Sequence, residues 1–292
     1  KDISSYDIPY WVTAIGDNSF WRCQSLQNIL IPNSVTDIGH SAFLSCDKLQ
    51  NIKMSESLIK IGDFAFSNCS KLEKITIPNS VQIIGKGAFC SCRLLNNITI
   101  SHSVSKIGAG AFAHCTSLKS ILIPDSVSEI GDGIFAGCII NVDIKSSKYE
   151  FDGSCLIDKI SRRLICCCKY NVPSYTIPDL VTEISEYAFG KSYLKSIMMP
   201  NSVIKIGEDA FMGCHSLKDI TISDSVVMIG DNAFCECVSV DRVKIPSSVD
   251  TIGSNAFFHC FKLNNIFIPK GTKEKFERLL PDEKSKLVEI DM

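Results

Sequence analysis

The sequence predicts an α/β solenoid of stacked coils, and three observations lead to this prediction. The stretch NSVTDIGHSAFLSC at residues 33–46 recurs as NSVQIIGKGAFCSC at 79–92 and as DSVSEIGDGIFAGC at 125–138. An Ile-Gly pair recurs every 23 residues from Ile15 to Ile130. Ten repeats align as V-x-x-I-G-x-x-A-F-x-x-C-x-x-L-x-x-I-x-I-P-x-S. Such a period is typical of proteins in which each repeat stacks on its neighbours.

Each repeat also contains an apolar core in which every second residue faces inward. In the third repeat the core is Leu72, Ile75 and Ile77, with Lys74 and Thr76 between them. A strand places successive side chains on opposite faces, so we predict one short strand per repeat. A period of about 20 to 29 residues with this core is typical of leucine-rich repeats. We therefore predict a leucine-rich repeat solenoid, a right-handed β/α superhelix of about ten 23-residue coils with a concave parallel β-sheet.

The segments between these strands follow the same pattern in every repeat. A proline such as Pro78 closes the strand, because proline lacks the donor that a ladder needs. The run Val81 to Ile84 then predicts a short strand on the convex side. The glycine that follows, here Gly85, is predicted to have a positive φ, although Ser185 fills this slot once. From the glycine to the cysteine we predict a helical or 3₁₀ turn with its alanine and phenylalanine facing inward.

The repeats predict a single leucine-rich repeat domain over residues 1–292. Its parts are an N-terminal coil at 1–34, regular repeats at 35–138, an irregular repeat unit at 139–180, regular repeats at 181–270 and a C-terminal cap at 271–292. The runs Cys155–Asp158 and Arg163–Cys166 in the irregular unit predict a β-hairpin insertion that bulges from one edge. This insertion is either a binding element or a structural ornament, and we favour the ornament. Thr272 is predicted to cap a short helix in the C-terminal cap.

The chain has fifteen cysteines, and most of them occupy one column of the repeat. The column consists of Cys23, Cys46, Cys69, Cys92, Cys115, Cys138, Cys214, Cys237 and Cys260. Stacked coils lie at a spacing that allows disulfides, but side chains in one column point the same way. We therefore favour a ladder of buried thiols in which cysteine acts as a small hydrophobe. A metal site is the weaker alternative, and the run Cys166 to Cys168 is where it would be tested.

Composition and motifs exclude several classes of function. The net charge of -2 provides no bulk attraction to nucleic acid. No apolar run approaches the roughly 20 residues that a membrane helix needs. The sequence begins at Lys1 without an initiator methionine, which predicts a trimmed chain whose start carries no information about export. No nucleophile with a base and an orienting group can be assembled from the five histidines. We predict a non-enzymatic protein with no catalytic residue, metal or cofactor.

The consensus I-P-x-S-V-x-x-I-G-x-x-A-F-x-x-C-x-x-L resembles the BspA-type leucine-rich repeat, and the resemblance covers roughly Ile8 to Pro269. It implies a bacterial protein that is extracellular or at the cell surface. Family members of known role bind host extracellular-matrix proteins, other bacteria or epithelial receptors. No catalytic residues belong to the family. Ser185, and Ser55, Ser101 and Ser223 in the proline slot, depart from the consensus.

The outward residues of the core strands form the predicted binding surface on the concave face. They are Asn28, Leu30, Asn51, Lys53, Lys74, Thr76, Asn97, Thr99, Ser120, Leu122, Met198, Thr221, Arg242, Lys244 and Phe267. Exposed apolar residues on such a face indicate a partner. We predict a monomeric adhesion or recognition module that binds a protein or glycan, host extracellular matrix included. The alternative is an intracellular interaction scaffold, which the many thiols favour.

Overall fold

The structure is a computed structural model that describes residues 3–169 and 172–291. It divides into two compact units, Lys1–Gly153 (unit 1) and Ser154–Met292 (unit 2). Each unit is a β-solenoid with parallel sheets, consistent with the predicted leucine-rich repeat solenoid. The boundaries drawn from the sequence remain a prediction, and their outer limits, residues 1 and 292, lie outside the described residues.

One strand in each coil carries the apolar core, and we call these strands the front series. In unit 1 the front series is Ser5–Asp7, Asn28–Leu30, Asn51–Lys53, Lys74–Thr76, Asn97–Thr99, Ser120–Ile123 and Asn141–Ile144. In unit 2 it is Ser174–Thr176, Ser196–Met198, Asp219–Thr221, Arg242–Lys244, Asn265–Pro269 and Leu287–Ile290. The described chain therefore makes about twelve turns rather than ten. The additional coils, such as the one ending in Leu287–Ile290, lack the Gly-to-Cys motif by which the repeats are counted.

A second, shorter strand in each coil forms the back series. In unit 1 it comprises Ala14–Ile15, Asp37–Ile38, Lys60–Ile61, Ile83–Ile84, Lys106–Ile107 and Glu129–Ile130, and the strand Tyr149–Phe151 follows in the chain. In unit 2 it comprises Arg163–Cys167, Glu183–Ile184, Lys205–Ile206, Met228–Ile229 and Thr251–Ile252, preceded by Cys155–Asp158. Neighbours within each series are parallel, and identical repeat positions pair, as Lys74 with Asn97 and Thr76 with Thr99. This register stacks each column of the repeat into a continuous row.

The segment from the glycine to the cysteine is not helical, so this part of the prediction is wrong. Ser41, Phe43 and Ser45 each donate their N–H to a carbonyl of the next coil, at 2.7 to 2.8 Å. The N–H groups of Leu44 and Cys46 bond within the turn instead. In a helix all of these N–H groups would bond within the same segment, whereas here every second N–H bonds to the next coil. We call these alternate intercoil donors the turn row.

Helix is confined to the C-terminal segment of the described chain, as the α-helix Lys273–Leu279 and the 3₁₀ helix Pro281–Lys286. Phe276 on the helix is buried. The hydroxyl of Thr272 donates to the carbonyl of Pro269 at 2.5 Å and does not cap the helix. The strand Leu287–Ile290 pairs in parallel with Asn265–Pro269 and so completes the front series.

The repeated glycine is required for close approach and not for a positive φ. A Cβ built on Gly62 would lie 2.6 Å from the carbonyl carbon of Gly39 and 2.7 Å from its oxygen, and Gly62 has no positive φ. Ser185 fills this slot once; it is fully buried, and its N–H donates to the carbonyl of Leu164 as the glycine N–H groups do to the preceding coil elsewhere. The expected positive φ occurs in two other columns instead. Most of these residues carry side chains: Asn18, Arg22, Ser41, Ser45, Phe64, Asn68, Ser91, His114, Tyr187, Lys191, Asp209, Asn232, Glu236, Asn255 and His259.

The predicted insertion is an antiparallel pair of strands, but it does not bulge from the sheet. Cys155–Asp158 pairs with Arg163–Cys167, and the second strand also pairs in parallel with Glu183–Ile184. Leu164 to Cys167 are all buried. Four consecutive apolar residues give this strand no polar face to expose to water, so it is incorporated into the back series.

Each coil with the Gly-to-Cys motif contributes one phenylalanine to the centre of its unit. In unit 1 the ring centroids of Phe43, Phe66 and Phe89 are 5.0 and 5.5 Å apart, with planes within 5° of parallel. Phe211 and Phe234 stack in the same way in unit 2, at 5.0 Å. The phenylalanine column is thus explained by packing between coils.

We expect Phe66→Ala to lower the free energy of unfolding by about 3 to 5 kcal/mol, because it removes a fully buried ring between two stacked neighbours. Urea unfolding monitored by circular dichroism measures the change. Phe261→Ala is the control, since that side chain is 77% exposed and should cost about 0.5 kcal/mol or less. Equal losses in the two variants would contradict the assignment of the ring stack as core.

Candidate recognition surface

The predicted binding residues lie on the outward side of the front series, and we call them the front-strand surface. In unit 1 Asn51, Lys53, Lys74, Thr76, Asn97, Thr99, Ser120 and Leu122 are exposed, and Asn28 and Leu30 are half-buried. In unit 2 Met198, Thr221 and Arg242 are exposed, and Lys244 and Phe267 are half-buried. The strand alternation that buries Ile75 and Ile121 turns these side chains outward. Each unit therefore carries its own part of the surface.

In unit 1 the surface includes a depression of about 470 Å³. Lys53, Lys71 and Lys74 line it, together with Glu73 and Asn51. It lies where the described front strands Asn51–Lys53 and Lys74–Thr76 belong to separate sheets. Sequence reasoning missed Lys71 and Glu73 because they precede the strand and were not part of its alternation.

Leu122 is the most exposed apolar residue of the unit 1 surface, with 48% of its area accessible. It is opposite Asp143 in the parallel register, and Ser120 precedes it on the same face. Its strand neighbours Ile121 and Ile123 are buried. Leu122 therefore presents apolar area to solvent from a well-anchored strand with polar neighbours.

The unit 2 surface combines one apolar residue with charged ones. Met198 is 63% exposed and is opposite Thr176. The Nε of Arg242 donates to Asp219 at 3.0 Å, which neutralises part of its charge. Lys244 lies between Thr221 and Phe267 in the register.

The column cysteines form a regular row of thiol contacts. From Cys46 onward each Sγ lies 3.0 to 3.3 Å from the phenylalanine carbonyl of the preceding coil, as Cys69 does to Phe43 and Cys92 to Phe66. Cys46, Cys69, Cys92, Cys115, Cys214, Cys237 and Cys260 are free thiols. These thiols therefore have an acceptor for their hydrogen, and no disulfide joins any two of them.

Burial suppresses ionisation of these thiols. It raises the pKa of Cys46 and Cys260 to about 12 and holds the pKa of Cys69, Cys92 and Cys115 well above the ordinary value. Thiolate is the reactive and metal-binding form. These cysteines are therefore poor nucleophiles at neutral pH.

Two thiols lie close together in the run Cys166 to Cys168, which the sequence analysis named as the place to look for a metal site. The Sγ atoms of Cys166 and Cys168 are 3.5 Å apart, and both residues are buried. In residues 3–169 and 172–291 no group of three or more histidine, cysteine, aspartate or glutamate side chains is arranged to hold a metal ion. The side chains of the sequence neighbours His259 and Cys260 diverge. The Cys260 thiol donates to Phe234, whereas the His259 ring stacks on Phe258 at 3.8 Å.

A membrane-crossing helix is absent from the described residues, because none of their helices is long and apolar enough. This agrees with the described helices, which are short and follow Pro269.

Comparisons with known proteins identify the repeat. Residues 2–156 and 158–279 match the family model described as a BspA type leucine rich repeat region, in six copies. None of the curated proteins matches the chain. The solved structure of a leucine rich cell surface protein from Faecalibacterium prausnitzii is 30% identical, with a TM-score of 0.70, and the alignment covers 96% of this chain and 91% of that one.

Two further solved structures share the fold. A leucine-rich repeat protein from Eubacterium ventriosum is 25% identical with a TM-score of 0.68, over 92% of this chain and 67% of that one. The pneumococcal vaccine antigen PcpA is 24% identical with a TM-score of 0.73, over 99% and 88%. At that identity the likeness to PcpA concerns the fold alone. The match to the family model, together with the stacked 23-residue coils, shows that this chain belongs to the BspA-type leucine-rich repeat family.

Proposed function

We propose that this chain is a non-enzymatic recognition module, acting in adhesion at the bacterial cell surface or outside the cell. Its front-strand surface binds a host or bacterial protein or glycan, host extracellular matrix included, and the chain acts as a monomer without a cofactor. Membership of a family of bacterial surface proteins supports this proposal. A second support is that packing explains the recurring phenylalanine, glycine and cysteine columns. The residues of the front-strand surface, by contrast, vary from coil to coil.

The observation that carries the proposal is the exposure of Leu122. Apolar area on a strand whose neighbours are buried is held rigid before a partner arrives, so little ordering entropy is lost on binding. The polar neighbours Ser120 and Asp143 resemble the polar rim around the apolar centre of an interface. The lysines of the unit 1 depression add donors to the same face.

We expect Leu122→Asp to abolish retention of the protein on a partner found by screening matrix proteins, glycans and intact cells. A carboxylate at the centre of the patch would lose its water on binding without gaining a partner. Ile59→Asp is the matched control, because Ile59 is 43% exposed but lies beside the back strand Lys60–Ile61. Both variants should melt close to the wild type. Equal retention of Leu122→Asp and wild type would remove the front-strand surface from the proposal.

An intracellular interaction scaffold is the second candidate, and the free thiols favour it. Protease treatment of intact cells separates the two locations. Peptides of this protein released without cytoplasmic markers would support surface recognition. Recovery of the protein only after lysis would support the scaffold and direct the partner search to the cell interior.

A further inference from the structure

The hydrogen bonds of the turn row have a direction, since every donor points toward the next coil. Asn232, Phe234 and Glu236 donate their N–H groups to the carbonyls of Ser254, Ala256 and Phe258, at 2.8 to 2.9 Å. The last coil of unit 2 accepts these three bonds. Its own donors at the same positions belong to Asn255, Phe257 and His259.

These last donors have no acceptor among the described residues. The alternate N–H groups, those of Phe258 and Cys260, bond within the turn, to the carbonyls of Asn255 and Phe257. The C-terminal strand Leu287–Ile290 completes the front series by pairing with Asn265–Pro269, but nothing in the described C-terminal segment completes the turn row. The solenoid thus ends in a set of alternate backbone donors that a new acceptor can occupy.

A cleft of about 360 Å³ lies over this end, and we call it the C-terminal cleft. Asn255, Phe257 and Phe258 line one wall, and Arg278, Leu279 and Leu280 line the other. The Nε of Arg278 donates to the carbonyl of Glu274 within its own helix, at 3.3 Å. The rest of the guanidinium remains available to the cleft.

Two acidic residues also line the C-terminal cleft, and they restrict the charge of an occupant. Glu283 forms an ion pair with Lys286 at 2.5 Å, so its charge is compensated. Asp282 is exposed and adds an uncompensated negative charge. A doubly charged anion would meet this charge at greater cost than a singly charged one.

We propose that the C-terminal cleft binds a monocarboxylate with an apolar body, such as the C-terminal residue of a peptide. The N–H groups of Asn255 and Phe257 and the guanidinium of Arg278 donate to the carboxylate oxygens. The apolar body packs on Phe258, Leu279 and Leu280.

Nuclear magnetic resonance of the full ¹⁵N-labelled chain tests the proposal with three probes: N-acetyl-leucine, N-acetyl-leucinamide and inorganic phosphate. We expect N-acetyl-leucine to shift the amide proton signals of Asn255 and Phe257. Asn232 and Phe234 are internal controls one coil earlier, where the same donors are occupied, and their signals should not move. The uncharged amide should bind at least about tenfold more weakly, the loss of one charged hydrogen bond. Phosphate should also bind more weakly, because it lacks the apolar body and brings more negative charge to Asp282.

Two variants give opposite expected results. Arg278→Gln should raise the dissociation constant of N-acetyl-leucine about tenfold or more, and Arg278→Lys should restore part of the affinity. Asp282→Asn should lower the dissociation constant, which no general loss of folding would do. Unmoved signals of Asn255 and Phe257, equal binding of the amide, or tighter binding of phosphate would each overturn the proposal.

Discussion

Gly62→Ala is expected to lower the free energy of unfolding by about 3 kcal/mol or more. The added methyl would lie 2.6 to 2.7 Å from the backbone of Gly39 and Ile38, and the backbone in two adjacent coils cannot move aside as a side chain would. Urea unfolding monitored by circular dichroism gives the change as a shift of the midpoint.

Gly16→Ala provides the matched control in the first coil. A Cβ at Gly16 meets only the Ser19 hydroxyl, at 3.4 Å, because no Ile-Gly pair precedes it among the described residues. The same substitution should there change stability by about 0.5 kcal/mol or less. If both variants lost the same stability, close approach between coils would not be the reason for the glycine column.

The second large effect is a loss of stability at alkaline pH. The folded chain raises the pKa of buried thiols, to about 12 for Cys46 and Cys260, whereas an unfolded thiol keeps a pKa near 9.0. Below pH 9.0 both states bind the thiol proton, and this contribution to stability is fully present. Above it the unfolded state releases protons that the folded state retains, so stability falls as the pH rises toward 12. Each such thiol contributes about 1.4 kcal/mol per pH unit.

Five buried thiols lower the stability together as the pH rises: Cys46, Cys69, Cys92, Cys115 and Cys260. We therefore expect the chain to unfold between about pH 9 and 11. Urea midpoints measured from pH 8 to 10.5 with a reductant present give the slope. Cys69→Ala should reduce that slope by about one proton, although its stability at pH 8 also falls. A slope unchanged by this substitution would show that the buried thiols do not cause the alkaline transition.

The coils were predicted well because the alternation of apolar and outward residues that produces their strands recurs in the repeats. The alternation around Ile75 predicts a strand with a buried centre, and the structure has this strand at Lys74–Thr76. The turns were mispredicted because a short Ala-Phe run has the same appearance whether its donors bond locally or to the next coil. The two columns of positive φ were missed because residues with side chains, such as Ser41, Phe64 and His114, occupy most of their positions.

The candidate surface could be predicted only in part. Strand alternation identified the outward residues, Leu122 among them, since it follows from local geometry. Lys71 was missed because its place beside Lys74 depends on where the front sheet is interrupted. The unoccupied donors of Asn255 and Phe257 have no signal in the repeat, because the sequence pattern is the same one coil earlier, where the N–H groups of Asn232 and Phe234 are hydrogen-bonded.

The turn row also determines how each unit would respond to a mechanical load. Within a unit the hydrogen bonds of the back strands and the turn row join one coil to the next, and those of the front strands add to them where the front strands pair. A pull on the two ends of the unit loads these junctions in series, so the weakest opens first and its neighbours remain closed. Each released coil of 23 residues adds about 75 Å of extended chain. A unit anchored at both ends would therefore lengthen in steps and absorb energy at each one.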